Sequence, residues 1–227
     1  MTALKKAGLL RTYYRDRLRG YRLGAKAKAA LLAARTVTQE LPVLVTMTFE
    51  ESGRTFTGCT VPVMALTLES LGADAIGINC GLGPEQMKSI VPVLYEYASV
   101  PIVVNPNAGL PRVSKEGTVF DVSPQEFAET MAEIVALGAR VVGGCCGTTP
   151  EHISVLIEAL VNKTRGMQPL PIHKKRHTLV SSYTHAVQFG ARPILIGERI
   201  NPTGKARLKQ ALRENDISYV LSEGIAQ

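Results

Sequence analysis

This chain of 227 residues has only four cysteines. Three of them lie in glycine-rich turns, which is not the framework of a disulfide-stapled secreted domain. A reducing, cytoplasmic setting fits instead. No apolar run approaches the ~20 residues of a membrane-spanning helix, so no membrane partner is expected. The opening residues, MTALKKAGLLRTYYRDRLRG, lack the apolar core and small-residue cleavage site of a secretory signal. Acid is also in short supply, with 19 Asp and Glu against 26 Lys and Arg and a net charge of +7. The excess is local. Residues 1–28 hold nine Lys/Arg and one Asp, residues 162–176 hold five Lys/Arg and no acid, and the rest is mildly acidic. Neither basic segment carries the motif of a nucleic-acid reader, so no nucleic-acid partner is expected. The two segments read as a solvated arm and a solvated linker. Gly204-Lys205 lacks both the earlier glycine and the following hydroxyl residue of a phosphate loop, which excludes that site.

What the chain does have is an internal repeat. Leu71–Glu85 (LGADAIGINCGLGPE) aligns without gaps on Leu137–Glu151 (LGARVVGGCCGTTPE). Each copy reads as a helix end with a glycine cap, a buried strand, a Cys-Gly turn and a helix with proline at its first position. Cys80 thereby takes the place of Cys146. Alone, the Cys145-Cys146 pair is better read as two small residues packed at a strand end. The repeat favours a different reading, with Cys80, Cys145 and Cys146 converging beyond the C-terminal ends of two strands. Three protein ligands with one position open is the pattern of a catalytic zinc, whereas a structural zinc is closed by a fourth.

The rest of the chain alternates in the same way. A helix is expected over residues 25–39, and strands at 43–49, 75–79, 101–105 and 140–142. The helices that come after these strands are expected at 60–71, from Pro84 with a break at Pro92, from Ser123 to Gly138, and from Pro150 to about Val161. Ser123 and Glu126 form a capping-box signature, and Thr149 is the expected cap of the last helix. Four strand–helix units imply a parallel sheet with right-handed crossovers. The fold class is therefore α/β and amounts to half of a (β/α)8 barrel. Residues 1–24 form an unassigned basic segment, 25–161 the partial barrel and 162–192 a linker and connecting segment. Residues 193–227 read as one further strand–helix unit, with a strand at Pro193–Gly197 and a helix from Lys205. Half a barrel exposes strand edges and apolar surface, so self-association or a chain supplying the missing half is expected.

INCGLGPEQM, VNPNAGLP and GGCCGTTPEHI together resemble the homocysteine-binding, zinc-dependent methyltransferase family. ILIGERINPTGK resembles the start of the methyltetrahydrofolate-binding domain that comes next in the cobalamin-dependent methionine synthases. The resemblance implies the last four units of a homocysteine-binding barrel and the beginning of a pterin-binding one, so that residues 193–227 would be the first unit of a second α/β barrel. It implies zinc on Cys80, Cys145 and Cys146, homocysteine as the substrate, and cobalamin and methyltetrahydrofolate as participants whose own domains are absent or incomplete. Asn79 and Asn107 would meet the amino-acid end of the substrate, and Asn201 would meet the pterin. Asparagine in such loops also serves as a turn former. Cys59 is read as a spare thiol, with a closed four-cysteine site as its alternative. His152 is read as a surface residue of a helix's first turn, and His173, His177 and His185 have no spacing that converges on the cysteines. Three functions stay open. They are a homocysteine methyltransferase of the methionine-synthase type, one taking methyl groups directly from a small donor, and a non-catalytic zinc-binding remnant.

Overall fold

The computed structural model describes residues 23–114, 117–163, 169–172, 178–190, 192–194, 196 and 200–226. Most of the basic N-terminal segment, together with His173 and His177, lies outside the described residues. The chain divides after Gln188 into two compact units.

The first unit opens with helix α1 (Leu23–Val37), then strand β1 (Leu44–Met47), helix α2 (Val61–Ser70) and strand β2 (Ala75–Asn79). Two short helices come next, α3 (Pro84–Met87) and α4 (Val91–Tyr97), then strand β3 (Ile102–Asn105). The break between α3 and α4 falls where Pro92 cannot continue a helix begun at Pro84, because it has no N–H to donate. A small hairpin, β4 (Arg112–Ser114) and β5 (Gly117–Val119), precedes helix α5 (Pro124–Ala136), strand β6 (Ala139–Val142) and helix α6 (Pro150–Lys163). Strands β1, β2, β3 and β6 form one parallel sheet in that spatial order. The alternation read from the sequence is thus present, with all four strands ending on one side.

Apolar periodicity explains how the helices cover the sheet. On α5 the buried residues are Phe127, Ala128, Met131 and Ile134, the spacing of one helical stripe. Each of the larger ones contributes about 2 kcal/mol by leaving water. Ser123 and Glu126 cap α5 reciprocally: the Glu126 N–H donates to Ser123 Oγ, and the Ser123 N–H donates back to the Glu126 carboxylate. Strands β2 and β3 carry Ile76, Ile78, Ile102 and Val104 into the same core. At the sheet edge, Ile102 pairs with Ala139 but Val103 pairs with Val141, leaving Arg140 as an extra residue on β6. Such a bulge bends its strand and re-aims the chain beyond it, and on β6 that chain is the glycine–cysteine loop.

Two expectations are corrected. The stretch read as a connecting segment holds a two-stranded sheet, β7 (Thr178–Ser181) and β8 (Ala186–Phe189), closed by a turn in which the Ser182 N–H donates to the His185 carbonyl. No strand is found at the described residues Pro193, Ile194 and Ile196. The second unit instead shows helices α7 (Ala206–Arg213) and α8 (Ile217–Ala226). Helix α7 buries Leu208 and Ala211, and the Arg207 guanidinium lies 4.7 Å from the centre of the Tyr219 ring.

Candidate metal centre

Cys80 is the residue immediately after β2, and Cys145 and Cys146 lie beyond β6 at the same end of the sheet. The two copies of the repeat meet here through their turns. Gly81 and Gly147 are aligned in sequence and both left-handed, at φ 74° and 78°. Cys80 itself is left-handed at φ 57°, which is uncommon for a residue with a side chain. The chain therefore leaves strand geometry one residue earlier at β2 than its glycine required.

A strap from the loop after β3 stitches the two turns together. The Asn107 N–H donates to the Leu82 carbonyl at 2.9 Å, on the Cys80 side. On the other side, the Cys145 N–H donates to the Pro106 carbonyl at 2.7 Å and the Ala108 N–H to the Cys146 carbonyl at 2.9 Å. The Asn107 side chain joins both. Its Oδ1 accepts from the Cys146 N–H at 3.1 Å, and its side chain favours the charged form of the Cys80 sulfur. Asn107 is only 3% exposed, so its role here is internal to the site. Asn79 closes β2 opposite Asn105 on β3 and is half-buried.

The result is a three-thiol cluster. Cys80 Sγ lies 3.7 Å from Cys146 Sγ, and Cys145 Sγ lies 3.9 Å from Cys146 Sγ. All three sulfurs fall within 4.8 Å of one another. An ion about 2.3 Å from each sulfur, in tetrahedral geometry, sets sulfurs about 3.8 Å apart. The two spacings to Cys146 meet that requirement, and the third pair lies within 4.8 Å. Cys80 and Cys145 are half-buried and Cys146 is exposed, which leaves the cluster open to solvent on one side. Among the described residues, no other group of three His, Cys, Asp or Glu side chains has metal-holding geometry. Cys59 is buried elsewhere, with its thiol toward the Thr60 carbonyl, and burial pushes that thiol's pKa up.

The thiols share charge unequally. Burial raises the Cys80 pKa, but hydrogen bonds from Gly81, Cys145, Cys146 and Asn107 outweigh it and hold the pKa below that of an ordinary thiol. Cys145 is pushed up to about 12, first by burial and then by its hydrogen bonds to Cys80 and Cys146 and by their negative charge. Without a cation, one sulfur takes the charge at the expense of a neighbour. A bound cation removes that conflict, because a coordinating thiol is deprotonated outright.

His152, read from the sequence as a surface residue, is instead buried at 6% exposed. Its Nδ1 accepts from the Thr149 N–H at 3.2 Å, and its Nε2 lies 3.0 Å from the Val122 carbonyl. Its ring meets Phe127 edge-on, with centroids 5.5 Å apart. Position alone placed it in a first helical turn; what covers it comes from a distant loop and from α5. Asn201, in the second unit, accepts the Thr203 N–H at 2.9 Å in a local turn. His185 pairs with Thr184 Oγ1 and does not join the cysteines.

A parallel α/β sheet thus carries at its strand ends an open three-thiol cluster whose geometry could hold a metal ion. The homocysteine S-methyltransferase family model matches residues 23–160, and the chain belongs to that family. It is 36% identical over 205 residues to a methionine synthase of Mycobacterium leprae and 35% identical over 201 residues to a methionine synthase of Mycobacterium tuberculosis. These alignments cover 86% of this chain but only 17% and 16% of those proteins. The chain therefore spans about one sixth of the length of the curated relatives it matches. Among solved structures, the homocysteine methyltransferase MmuM of Escherichia coli, in its oxidised form, is 25% identical with a TM-score of 0.47. That match covers 58% of this chain and 40% of MmuM. Among the described residues, no helix is long and apolar enough to cross a membrane.

Proposed function

We propose that this chain is the thiol-activating part of a homocysteine methyltransferase of the methionine-synthase type, with zinc held by Cys80, Cys145 and Cys146. The observation that carries the reading is the 3.7 Å and 3.9 Å sulfur spacing at the ends of parallel strands. Bound zinc would keep a fourth, substrate sulfur in its thiolate form near neutral pH. The chain's own residues set the rest. Cys80, Cys145 and Cys146 act as ligands rather than nucleophiles, and their combined negative charge keeps the substrate sulfur electron-rich. Asn107 holds Cys80 and the Cys146 backbone in one arrangement. Asn79, half-buried at the end of β2, lies at the rim where the amino-acid end of homocysteine would sit, while the buried Asn107 serves the site by holding the cysteine loop.

The proposal extends to the surroundings of the site. The four strand–helix units are half of an eight-unit barrel, completed by further chain or by self-association. Residues 193–227 belong to a pterin-binding segment with Asn201 toward the pterin, a placement supported by the ILIGERINPTGK resemblance alone. Cobalamin and methyltetrahydrofolate then act through parts beyond the cysteine cluster. On this reading the chain by itself activates homocysteine but does not turn over methyltetrahydrofolate, because positioning of both reactants is what makes transfer fast.

The test is methionine formation from homocysteine, with free methylcobalamin or with methyltetrahydrofolate plus cobalamin, using Cys145→Ser as the blank. Transfer from methylcobalamin above the blank, without folate turnover, is the expected result. Folate-dependent turnover would overturn the division of labour. No transfer from any donor by a zinc-loaded chain would favour a non-catalytic metal site.

A further inference from the structure

Beyond the three sulfurs, one side chain ties the cysteine loop to the rest of the rim. We propose that His152 is a positioning residue for the metal centre and sets the place of Cys146 through a relay of backbone hydrogen bonds. This rests on the metal-site reading above and adds a residue to it.

Three contacts make the relay. His152 Nε2 donates to the Val122 carbonyl at 3.0 Å, the Val122 N–H donates to the Ala108 carbonyl at 3.0 Å, and the Ala108 N–H donates to the Cys146 carbonyl at 2.9 Å. The donor sense at Nε2 is fixed by its partner, since a carbonyl oxygen can only accept. Nδ1 faces Thr149 on the other side, with Oγ1 at 2.8 Å and the N–H at 3.2 Å. His152 also closes the start of α6 in the manner of a capping box. Thr149 stands three residues before it, and the ring reaches back to the Thr149 N–H as a glutamate would. Phe127 packs against the ring edge-on, and burial at 6% exposed keeps water from substituting for either partner. One ring thus grips both ends of the problem: the helix beyond the cysteines and the loop that holds the Cys146 carbonyl. Neither ring nitrogen is left over for a metal or a substrate, so the residue acts only through others.

Two substitutions separate the two grips. His152→Asn keeps an acceptor near Nδ1 but cannot reach Val122, while His152→Gln keeps a donor near Nε2. The full chain is loaded with zinc against a competing chelator and with cobalt(II), whose thiolate absorption bands report ligand geometry. Metal-free samples are monitored by amide exchange at Ala108 and Cys146. His152→Asn should weaken metal binding about tenfold or more, alter the cobalt spectrum and speed exchange at both amides. His152→Gln should restore all three readouts toward the native values. Native affinity, spectrum and exchange in His152→Asn would overturn the proposal. So would equal losses in both variants that track a lowered melting temperature, since that marks a purely structural residue. A native chain that binds no metal would sink the metal reading instead, and the exchange experiment would still decide the relay.

Discussion

Replacing Gly147 by alanine separates backbone strain from crowding at the cysteine loop. Gly147 is left-handed at φ 78°, and an added methyl would stand 2.4 Å from Cγ of Phe120. Gly53 offers the control: it is left-handed at φ 70°, but a methyl there meets nothing within 4 Å. Left-handed strain on an L-residue is roughly 1–2 kcal/mol. Alanine also narrows the unfolded ensemble, which offsets about 0.4–1 kcal/mol. Gly53→Ala should therefore cost about 1 kcal/mol or less. Gly147→Ala adds overpacking of about 1–3 kcal/mol, because Phe120 lies two residues before Val122, whose N–H is tied to the Ala108 carbonyl. The net is about 2–4 kcal/mol, large against the 5–15 kcal/mol typical of a folded domain. Urea midpoints at unchanged m-value read the difference. Equal costs for the two variants would refute the close approach of Phe120 to the cysteine turn.

The same contacts predict other outcomes. Phe127→Ala removes a fully buried ring that packs on His152 and should cost about 3–5 kcal/mol by urea unfolding. Metal affinity should rise with pH, because Cys145, at about 12, must lose its proton on binding. Titration with a chelator should show log Kd falling by about two to three per pH unit between about pH 6 and 9. Asp74 is held below the usual carboxylate range, first by the Val43 N–H and then by Arg35. Its contribution is complete above the unfolded carboxylate value and is lost as pH falls through the lowered folded value. Asp74→Asn should therefore flatten the acid limb of a melting-temperature profile, and an unchanged limb would count against the contact.

Much of this architecture was written in local pattern. The gapless repeat brought Cys80 and Cys146 to equivalent turns, and the equivalence holds at Gly81 and Gly147. Ser123 and Glu126 announced their capping box, and Pro92 its helix break. What stayed hidden depends on contacts distant in sequence. The burial of His152 needs Val122 and Phe127, about thirty residues earlier, and nothing in PEHI encodes them. The β4–β5 hairpin is exposed along both strands, so burial imposes no alternation that could be read. Asn107 shows a third kind of gap. Its residue type marked it as polar and useful, but only the fold shows it buried with its side-chain oxygen held by the Cys146 N–H.

The central claim is a single metal on three named sulfurs, and bound zinc per chain tests it most directly. The native chain should hold about one zinc. Cys80→Ser, Cys145→Ser and Cys146→Ser should each lose it, while Cys59→Ser, altered at a thiol buried outside the cluster, should keep it. Full occupancy after removal of any one of the three, or equal loss at Cys59, would contradict the account.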